Sequence, residues 1–200
     1  MRKLFFAVII NCLIVLSACT GKCDTAPTTT SNSTTEIVME NILNRRSIRD
    51  YKPNQVSMDT IDTILKAAIN APSARNHQPW EVRVIRDAEL LSSIKAINGN
   101  AFHNAPMVIV VAYDKNNPYG AFDCGLLTQN ILLSAESFDL GTCVLGNFAR
   151  ALNSGSPEAN EIVKLLDFSE GYEIIVGVEM GYKNEYPDAK PRETNKVRVL

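Results

Sequence analysis

Apolar residues recur at helical spacing in four segments of the chain, which predicts four amphipathic helices. Polar residues suited to capping precede three of these segments, at Ser57, Asp87 and Ser156, the last followed by a proline that suits a first helical turn. Pro72 ends the second helix, because the residue before a proline avoids the helical region. The four apolar stripes are Val38, Met39, Ile42 and Leu43; Ile61, Ile64, Leu65 and Ala68; Leu90, Leu91, Ile94 and Ile97; and Ile162, Val163, Leu165 and Leu166.

Continuous apolar runs predict the buried centre of the domain. Residues 106–113 form a β-branched run typical of a strand that is buried on both faces, and residues 82–86 and 173–180 read as further strands. Residues 121–138 are apolar nearly all round, which predicts an interior helix that Gly141 stops. Strands separated by helices predict one α/β or α+β sandwich, in which helices cover a sheet.

The first residues have the layout of a secretion signal. Arg2 and Lys3 precede an apolar core over residues 4–16, which is short for a membrane span. The ending Leu16-Ser17-Ala18-Cys19 resembles a bacterial lipobox, in which the cysteine becomes the lipidated first residue of the mature chain. We therefore expect a signal peptide over residues 1–18 and lipidation at Cys19; the alternative is an ordinary cleaved signal with a chance cysteine.

Residues 19–35 are predicted to be a flexible tether, because they are rich in Thr and Ser and almost free of apolar side chains. A coil of this composition spans roughly 20 Å. It would hold a globular domain, residues 36–200, just off a membrane surface. We expect an extracytoplasmic protein, on the periplasmic or outer-membrane side, that is anchored to the membrane by its lipid; the alternative is a cytoplasmic protein whose signal is misread.

Charge and cysteine content exclude several classes of function. A net charge of −2 argues against a nucleic-acid partner. Cys12 lies in the signal and Cys19 would be lipidated, so Cys23, Cys124 and Cys143 remain as possible thiols. The last two sit in apolar surroundings that favour buried thiols over a disulfide or metal site. His77 and His103 are the only histidines in the sequence, so no metal site is expected.

The segment Arg45-Arg46-Ser47-Ile48-Arg49 places three guanidinium groups around a hydroxyl. This chemistry suits a phosphate, since each Arg offers a planar fork of donors and stays charged. The alternative interpretation is an arginine cluster that satisfies the loose carbonyls at the end of a helix.

A second segment, Pro72-Ser73-Ala74-Arg75-Asn76-His77-Gln78-Pro79-Trp80, holds amide and hydroxyl side chains in a turn. Such groups bind a planar heteroaromatic ligand without adding charge. By itself it also reads as a packed loop with Trp80 in the core. The two segments together indicate a nucleotide-like cofactor.

These two segments, the interior helix around Asp123 and Gln129-Asn130, and Leu140-Gly141-Thr142-Cys143 resemble the nitroreductase family of flavin enzymes, in the same order along the chain. The resemblance implies an α+β fold with a mixed central sheet flanked by helices, and an intertwined homodimer with FMN at the subunit interface. It implies that Arg45, Arg46, Ser47 and Arg49 hold the phosphate and ribityl chain.

The other flavin contacts follow from the same resemblance. The second subunit would supply Pro72, Ser73, Ala74, Asn76 and Gln78 to line the isoalloxazine. A backbone N–H at Leu145-Gly146, on the loop after the interior helix, would face flavin N5. The C-terminal basic residue of the family matches Lys196, with Arg198 two residues on, while Lys190 and Arg192 are competing candidates.

The resemblance implies an FMN-dependent oxidoreductase. It would pass hydride from a reduced donor, NAD(P)H or an extracytoplasmic substitute, to a nitroaromatic, quinone or similar small acceptor by a ping-pong mechanism. No catalytic side chain is expected, because the cofactor supplies the chemistry. Two alternatives stay open: a membrane-tethered flavin-binding module without turnover, and a structural lipoprotein with an emptied site. His77 is expected to be a loop residue or a packing histidine rather than a proton donor, and Cys143 a buried inert thiol.

Overall fold

A computed structural model describes residues 33–200. The predicted signal peptide, Cys19 and most of the predicted tether lie outside these residues. The first helix begins two residues before the expected domain start at residue 36, because Ser33 and Glu36 form a capping box. The helices are α1 (Thr34–Asn44), α2 (Met58–Ala68), α3 (Ala88–Asn98), α4 (Gly120–Ser137), α5 (Phe148–Leu152) and α6 (Pro157–Leu166).

Four antiparallel strands form the sheet, in the order β1-β2-β4-β3. A parallel bridge between Ser47 and Thr142 adds the segment after α1 to the β3 edge. The expected α+β fold with helices flanking a sheet is confirmed, but the four strands are all antiparallel, and this bridge is the one parallel pairing among residues 33–200. The strands are β1 (Trp80–Ile85), β2 (Met107–Asp114), β3 (Leu140–Leu145) and β4 (Tyr172–Tyr182).

Helices cover both faces of the sheet. Met107, Ile109 and Val111 of β2 pack in the core beneath α2 and α4, whereas Val108 and Val110 pack in the core beneath α3, α5 and α6. Every residue from Met107 to Ala112 is buried, as the continuous apolar run predicted. The predicted caps Ser57, Asp87 and Ser156 each accept a hydrogen bond from the third residue of their helix.

Gly141 does not stop the interior helix, and that prediction was wrong. The helix ends at Ser137, and Asp139 makes the turn with φ +55°. Gly141 instead lies inside β3, where a Cβ would meet the Ile48 side chain at 2.8 Å. Glycine is thus required for close approach of the Ile48 segment to the sheet edge. Strand β3 and helix α5 were not expected from the pattern.

The apolar side of α1 is largely uncovered by the rest of residues 33–200. The predicted stripe is helical, but Val38, Met39, Ile42 and Leu43 are 45–63% exposed. Asn41 fixes the helix to α4 by donating from Nδ2 to the Leu133 carbonyl at 2.9 Å. Among the helices of residues 33–200, none combines the length and the apolar character that a bilayer crossing requires.

Candidate functional site

The arginine segment runs along the edge of the sheet directly after α1. Arg45 leaves the helix in an extended conformation, and the Ile48 N–H donates to the Thr142 carbonyl of β3 at 2.9 Å. Lys52 N–H then donates to the Tyr182 carbonyl of β4 at 2.9 Å. These backbone bonds hold the segment straight, so that its side chains alternate between the two sides of the edge.

A cavity of about 100 Å³ opens beside this segment. It is lined by five basic side chains against a single carboxylate, so its lining carries a net positive charge. Its volume falls below the ≈ 300–1,000 Å³ of sites that enclose a whole organic ligand, and suits a phosphate group instead. The lining residues are Arg45, Arg46, Ser47, Arg49, Pro187, Asp188, Lys190 and Arg192.

The arginines in this lining are not equivalent. Arg46 Nη1 donates to the Leu43 carbonyl at 2.6 Å and to the Arg45 carbonyl at 3.0 Å, which is the helix-end role of the alternative interpretation. Arg49 Nη1 donates to the Ser47 carbonyl at 3.3 Å, and its backbone N–H donates to Glu185. Arg45 also lines the cavity, and its guanidinium group makes no such hydrogen bond to a backbone carbonyl within residues 33–200.

The C-terminal segment supplies basic residues other than the expected pair. Lys190 and Arg192, the competing candidates, line the cavity, and Arg192 Nη1 donates to the Lys190 carbonyl at 3.0 Å. Lys196 instead forms an ion pair with Glu193 at 2.5 Å, and neither it nor Arg198 lines the cavity. Within one chain, the structure therefore favours Lys190 and Arg192 as the partners of the arginine segment.

The second motif forms a tight, mostly exposed bend. Asn76 and Gln78 both have φ above +45°, in the left-handed region that costs energy for side chains with a Cβ. Ser73 Oγ accepts from the Gln78 N–H at 3.0 Å, and the buried Asp123 carboxylate accepts from the Ala74 N–H at 3.1 Å. The bend is held from inside by Ser73 and Asp123, so the exposed amide side chains are displayed outward.

Leu145 and Gly146 stand at the far end of β3 rather than directly after the interior helix. Leu145 is the last residue of the strand, and Gly146 opens the exposed turn into α5. Thr142, which pairs with Ser47, lies three residues earlier, and three strand residues span about 10 Å. The arginine segment and the Leu145-Gly146 backbone therefore share one edge of the sheet.

The bend and the arginine segment occupy diagonally opposite corners of the sheet. The bend leads into Trp80, which pairs with Tyr113 at one end of β2; Ser47 pairs through Thr142 and Met180 with Met107 at the other end. The two motifs are thus separated by about 20 Å along the strands and by roughly 19 Å across four strand spacings, since the arginine segment lies outside β3. The sheet and its core lie between them.

The remaining residues named in the sequence analysis have separate positions and contacts. Asp123 accepts a structural hydrogen bond from the bend, and Asn130 Nδ2 donates to the Ala67 carbonyl at 3.1 Å, whereas Gln129 is exposed. His77 is exposed, with Asn117 Nδ2 at 3.5 Å from its ring. Cys124 and Cys143 are buried free thiols, as predicted. Burial raises the pKa of Cys143, while Arg49 opposes that rise.

A buried polar cluster that the sequence pattern did not predict lies on β4. Glu179 of β4 is wholly buried, and its Oε2 lies 2.5 Å from His103 Nδ1. Desolvation raises the pKa of the Glu179 carboxyl, and the His103 hydrogen bonds oppose the rise. Cys143 completes the cluster on the neighbouring strand. The available signal was a glutamate inside an apolar strand, which is rarely buried without a partner.

Comparison with known proteins identifies the family to which the chain belongs. The model of the nitroreductase family matches residues 42–98 and 86–182. A protein from Archaeoglobus fulgidus, named for NADH dehydrogenase or NAD(P)H nitroreductase activity, is 36% identical over 160 residues, covering 76% of this chain and 89% of that protein.

Solved structures agree. A nitroreductase with bound FMN from Desulfitobacterium hafniense aligns with a TM-score of 0.76 and 30% identity, over 82% of this chain and 97% of that one. A nitroreductase with bound FMN from Bacteroides fragilis shares the fold with a TM-score of 0.75 and 21% identity, over 82% and 98% of the two chains. The chain belongs to the nitroreductase family of enzymes.

Proposed function

We propose that this chain is an FMN-dependent oxidoreductase. The observation that carries the proposal is the phosphate-sized basic cavity at Arg45, Ser47 and Arg49, which lies on the same sheet edge as the Leu145-Gly146 backbone. Fixed positive charge and N–H donors suit the phosphate, and the family includes solved structures with FMN bound. The residues present therefore fit this cofactor.

The ligand is bound by two copies of the chain. One copy contributes the cavity and the Leu145-Gly146 backbone, and the other contributes Ser73, Ala74, Asn76 and Gln78 with Pro72. This assignment is supported by the separation of the two motifs at opposite corners of one sheet, since a single flavin cannot bridge them through the domain core. The second copy is thus part of the site itself.

Helix α1 provides the apolar surface for this association. Its exposed apolar side chains border a groove of about 630 Å³ against Leu133 and Ser134 of α4. An apolar surface of this kind on an otherwise well-packed domain marks an interface. The arginine segment follows α1 directly, so the interface and the phosphate cavity lie close together in the chain.

Bound FMN supplies hydride acceptance and donation, and the chain's residues bind and orient it. The donor, NAD(P)H or a substitute, and the acceptor, a nitroaromatic, quinone or similar small molecule, occupy the same exposed place in turn. This alternation is a ping-pong cycle. The relative named for NAD(P)H nitroreductase activity supports this choice of substrates.

Stopped-flow spectroscopy tests the function. Purified protein should carry about one FMN per chain, and reduced holoprotein mixed with a quinone or nitroarene should reoxidise much faster than free FMN. Reoxidation no faster than free FMN would instead support the tethered binding module. A protein that stays colourless after FMN addition would support the emptied structural lipoprotein.

We propose further that lipidation at Cys19 anchors the enzyme outside the cytoplasm. The proposal is supported by the charged start, the short apolar core and the Leu16-Ser17-Ala18-Cys19 ending of the sequence. A diacylated cysteine anchors stably, where a single chain is marginal. Cys19→Ser should move the protein from the membrane to the soluble fraction of fractionated cells. Unchanged membrane association would refute this anchor.

A further inference from the structure

Three different metal-binding side chains converge beneath the segment that follows the arginines. Cys143 on β3 lies directly opposite Glu179 on β4, and His103 comes from the loop before β2. A ring nitrogen of His103, the Cys143 sulfur and a Glu179 oxygen all lie within 4.8 Å of one another. Three separate parts of the chain thus aim one ligand atom each at a common point.

The distances suit a small cation. Nitrogen, thiolate and carboxylate ligands bind Zn²⁺ at about 2.0–2.1, 2.3 and 2.0–2.2 Å. Atoms that all lie within 4.8 Å of each other have a common centre at most about 2.8 Å away, so the side chains must close in by at most about 0.5–0.8 Å to reach those lengths. The hydrogen bond between His103 Nδ1 and Glu179 Oε2, at 2.5 Å, must open modestly to admit a metal between the two atoms.

The other carboxylate oxygen of Glu179 accepts a hydrogen bond that would orient the carboxylate as a metal ligand. Glu179 Oε1 accepts from the His103 backbone N–H at 2.7 Å, which leaves Oε2 directed at the imidazole. Such a hydrogen bond orients a ligating carboxylate. The carboxylate is wholly buried and Cys143 is 4% exposed, so a divalent cation with both as anions would balance their charges where water cannot.

We propose that His103, Cys143 and Glu179 form a binding site for a zinc-like divalent cation. The mixed nitrogen, sulfur and oxygen set selects Zn²⁺ over Mg²⁺ or Ca²⁺, which take oxygen ligands. The His103 side chain is 21% exposed, so the open side of the site admits a water as fourth ligand. The metal would link β3, β4 and the loop before β2.

The proposed cation site lies next to the core cluster that supports the arginine segment. Tyr51 packs with Ala105 and Ile48 in a small core cluster over the same strands, and its hydroxyl donates to the Ile48 carbonyl at 2.5 Å. Ile48 lies between Ser47 and Arg49. The cation site therefore stabilises the layer on which the phosphate-binding segment rests, and the proposal stands whether or not the chain turns over nitro compounds.

Zinc binding by the full chain tests the site. Cys12, Cys19 and Cys23 are changed to Ser in every sample, so that sulfur ligation reports only on Cys124 and Cys143. Zn²⁺ affinity is measured by competition with a chromophoric chelator. X-ray absorption of the zinc-loaded protein then reads the ligands directly. Cys143→Ser is the test variant, and Cys124→Ser is the matched control because it removes the other described buried thiol.

The expected result is one Zn²⁺ per chain with one sulfur ligand at about 2.3 Å. Cys143→Ser should remove the sulfur signal and weaken binding about 100-fold or more, whereas Cys124→Ser should change neither. His103→Gln, at a partly exposed position, should also weaken zinc binding and guards against a folding defect in Cys143→Ser. Zinc bound only by nitrogen and oxygen, equal affinity in Cys143→Ser, or no stoichiometric binding would each overturn the proposal.

Discussion

Arg45 and Arg46 are neighbours in the sequence, yet their guanidinium groups make different contacts in the structure. Both line the cavity with Arg49, but Arg46 also donates hydrogen bonds to the Leu43 and Arg45 carbonyls at the end of α1. The helix-end interpretation therefore describes the contacts of Arg46, while phosphate binding by Arg45 and Arg49 stays a prediction. The sequence could predict the cluster, but not this division, which depends on where α1 ends and the extended segment begins.

The C-terminal basic residues show a similar limit. Residues beyond 182 have no periodicity, so sequence position alone could not decide between Lys190 and Arg192 on one side and Lys196 and Arg198 on the other. The structure lines the cavity with the first pair. Irregular backbone is placed by individual contacts rather than by a repeating pattern, which is why its path required the structure.

Arg192→Ala should weaken FMN binding about tenfold or more. It removes a cation from the phosphate cavity, and a hydrogen bond to a charged group is worth ~1.5–3 kcal/mol. Arg198→Ala is the matched control, because it deletes the same charge outside the cavity, and should change affinity less than about twofold. Fluorescence titration of FMN-free protein measures both. A larger loss in Arg198→Ala would restore the original C-terminal assignment.

Glu81 gives a pH dependence of stability that can be checked. Burial raises its pKa, but hydrogen bonds from Ser169 and Arg83 outweigh this, so the pKa lies below its ordinary value of 4.5. The unfolded chain therefore takes up a proton first as the pH falls. Stability from Glu81 is fully present above pH 4.5 and is lost as the pH drops through the lowered value.

Glu81→Gln should lower the free energy of unfolding at neutral pH by about 0.5–1.5 kcal/mol, since it weakens the 2.8 Å contact with Arg83. The difference from the wild type should shrink as the pH falls below 4.5. Urea unfolding over a pH series measures both effects. Glu170→Gln, at an exposed position, serves as control. A difference that stays constant with pH would contradict the assigned shift.

At the level of elements, predictions succeeded where a cap or a long apolar period was present. Helices α2, α3 and α6 begin at the expected caps, and β2 is the expected buried strand. Strand β3 was missed because its small residues, Gly141, Thr142 and Cys143, carry a weak strand pattern. Its pairing with β4 and with the arginine segment makes it a strand, and both partners are distant in sequence.

Gly141→Ala tests this close approach of elements. A Cβ at residue 141 would lie 2.8 Å from the Ile48 Cβ, next to the backbone, where the neighbour cannot swing away. We expect a loss of about 1–3 kcal/mol in stability, with weaker FMN binding because Ile48 lies between Ser47 and Arg49.

Gly125→Ala is the control for this change. It lies in α4, where a Cβ meets nothing within 4 Å, so it should stabilise by roughly 0.5–1 kcal/mol. Thermal unfolding and FMN titration of both variants measure the contrast. Equal stability in Gly141→Ala and wild type would mean that the Ile48 segment moves freely at the sheet edge.

At the scale of the whole molecule, one domain carries both halves of the proposed site at opposite corners of its sheet. The apolar side chains of α1 are also exposed, although the sequence pattern predicted that this face is buried. A sequence pattern shows that a face needs cover, but not whether the cover comes from the same chain. The register of the sheet fixes the distance between the two motifs, and this distance supports the proposed association of two copies.

Mixed dimers of two defective variants give the decisive test of this arrangement. Arg45→Ala removes a cavity cation, and Asn76→Asp adds a charge to the amide bend while keeping a residue type that tolerates its φ of +58°. Each homodimer should bind FMN weakly at both sites.

Co-expression with two different tags and sequential purification yields the mixed dimer. If the site is shared between chains, this dimer has one site with both defects and one with neither, so it should bind one FMN at wild-type affinity. If each chain built its own site, every site in the mixed dimer would carry one defect, and tight binding would be lost altogether. Because neither chain alone is competent, recovery of one tight site can arise only when the cavity of one chain meets the bend of the other.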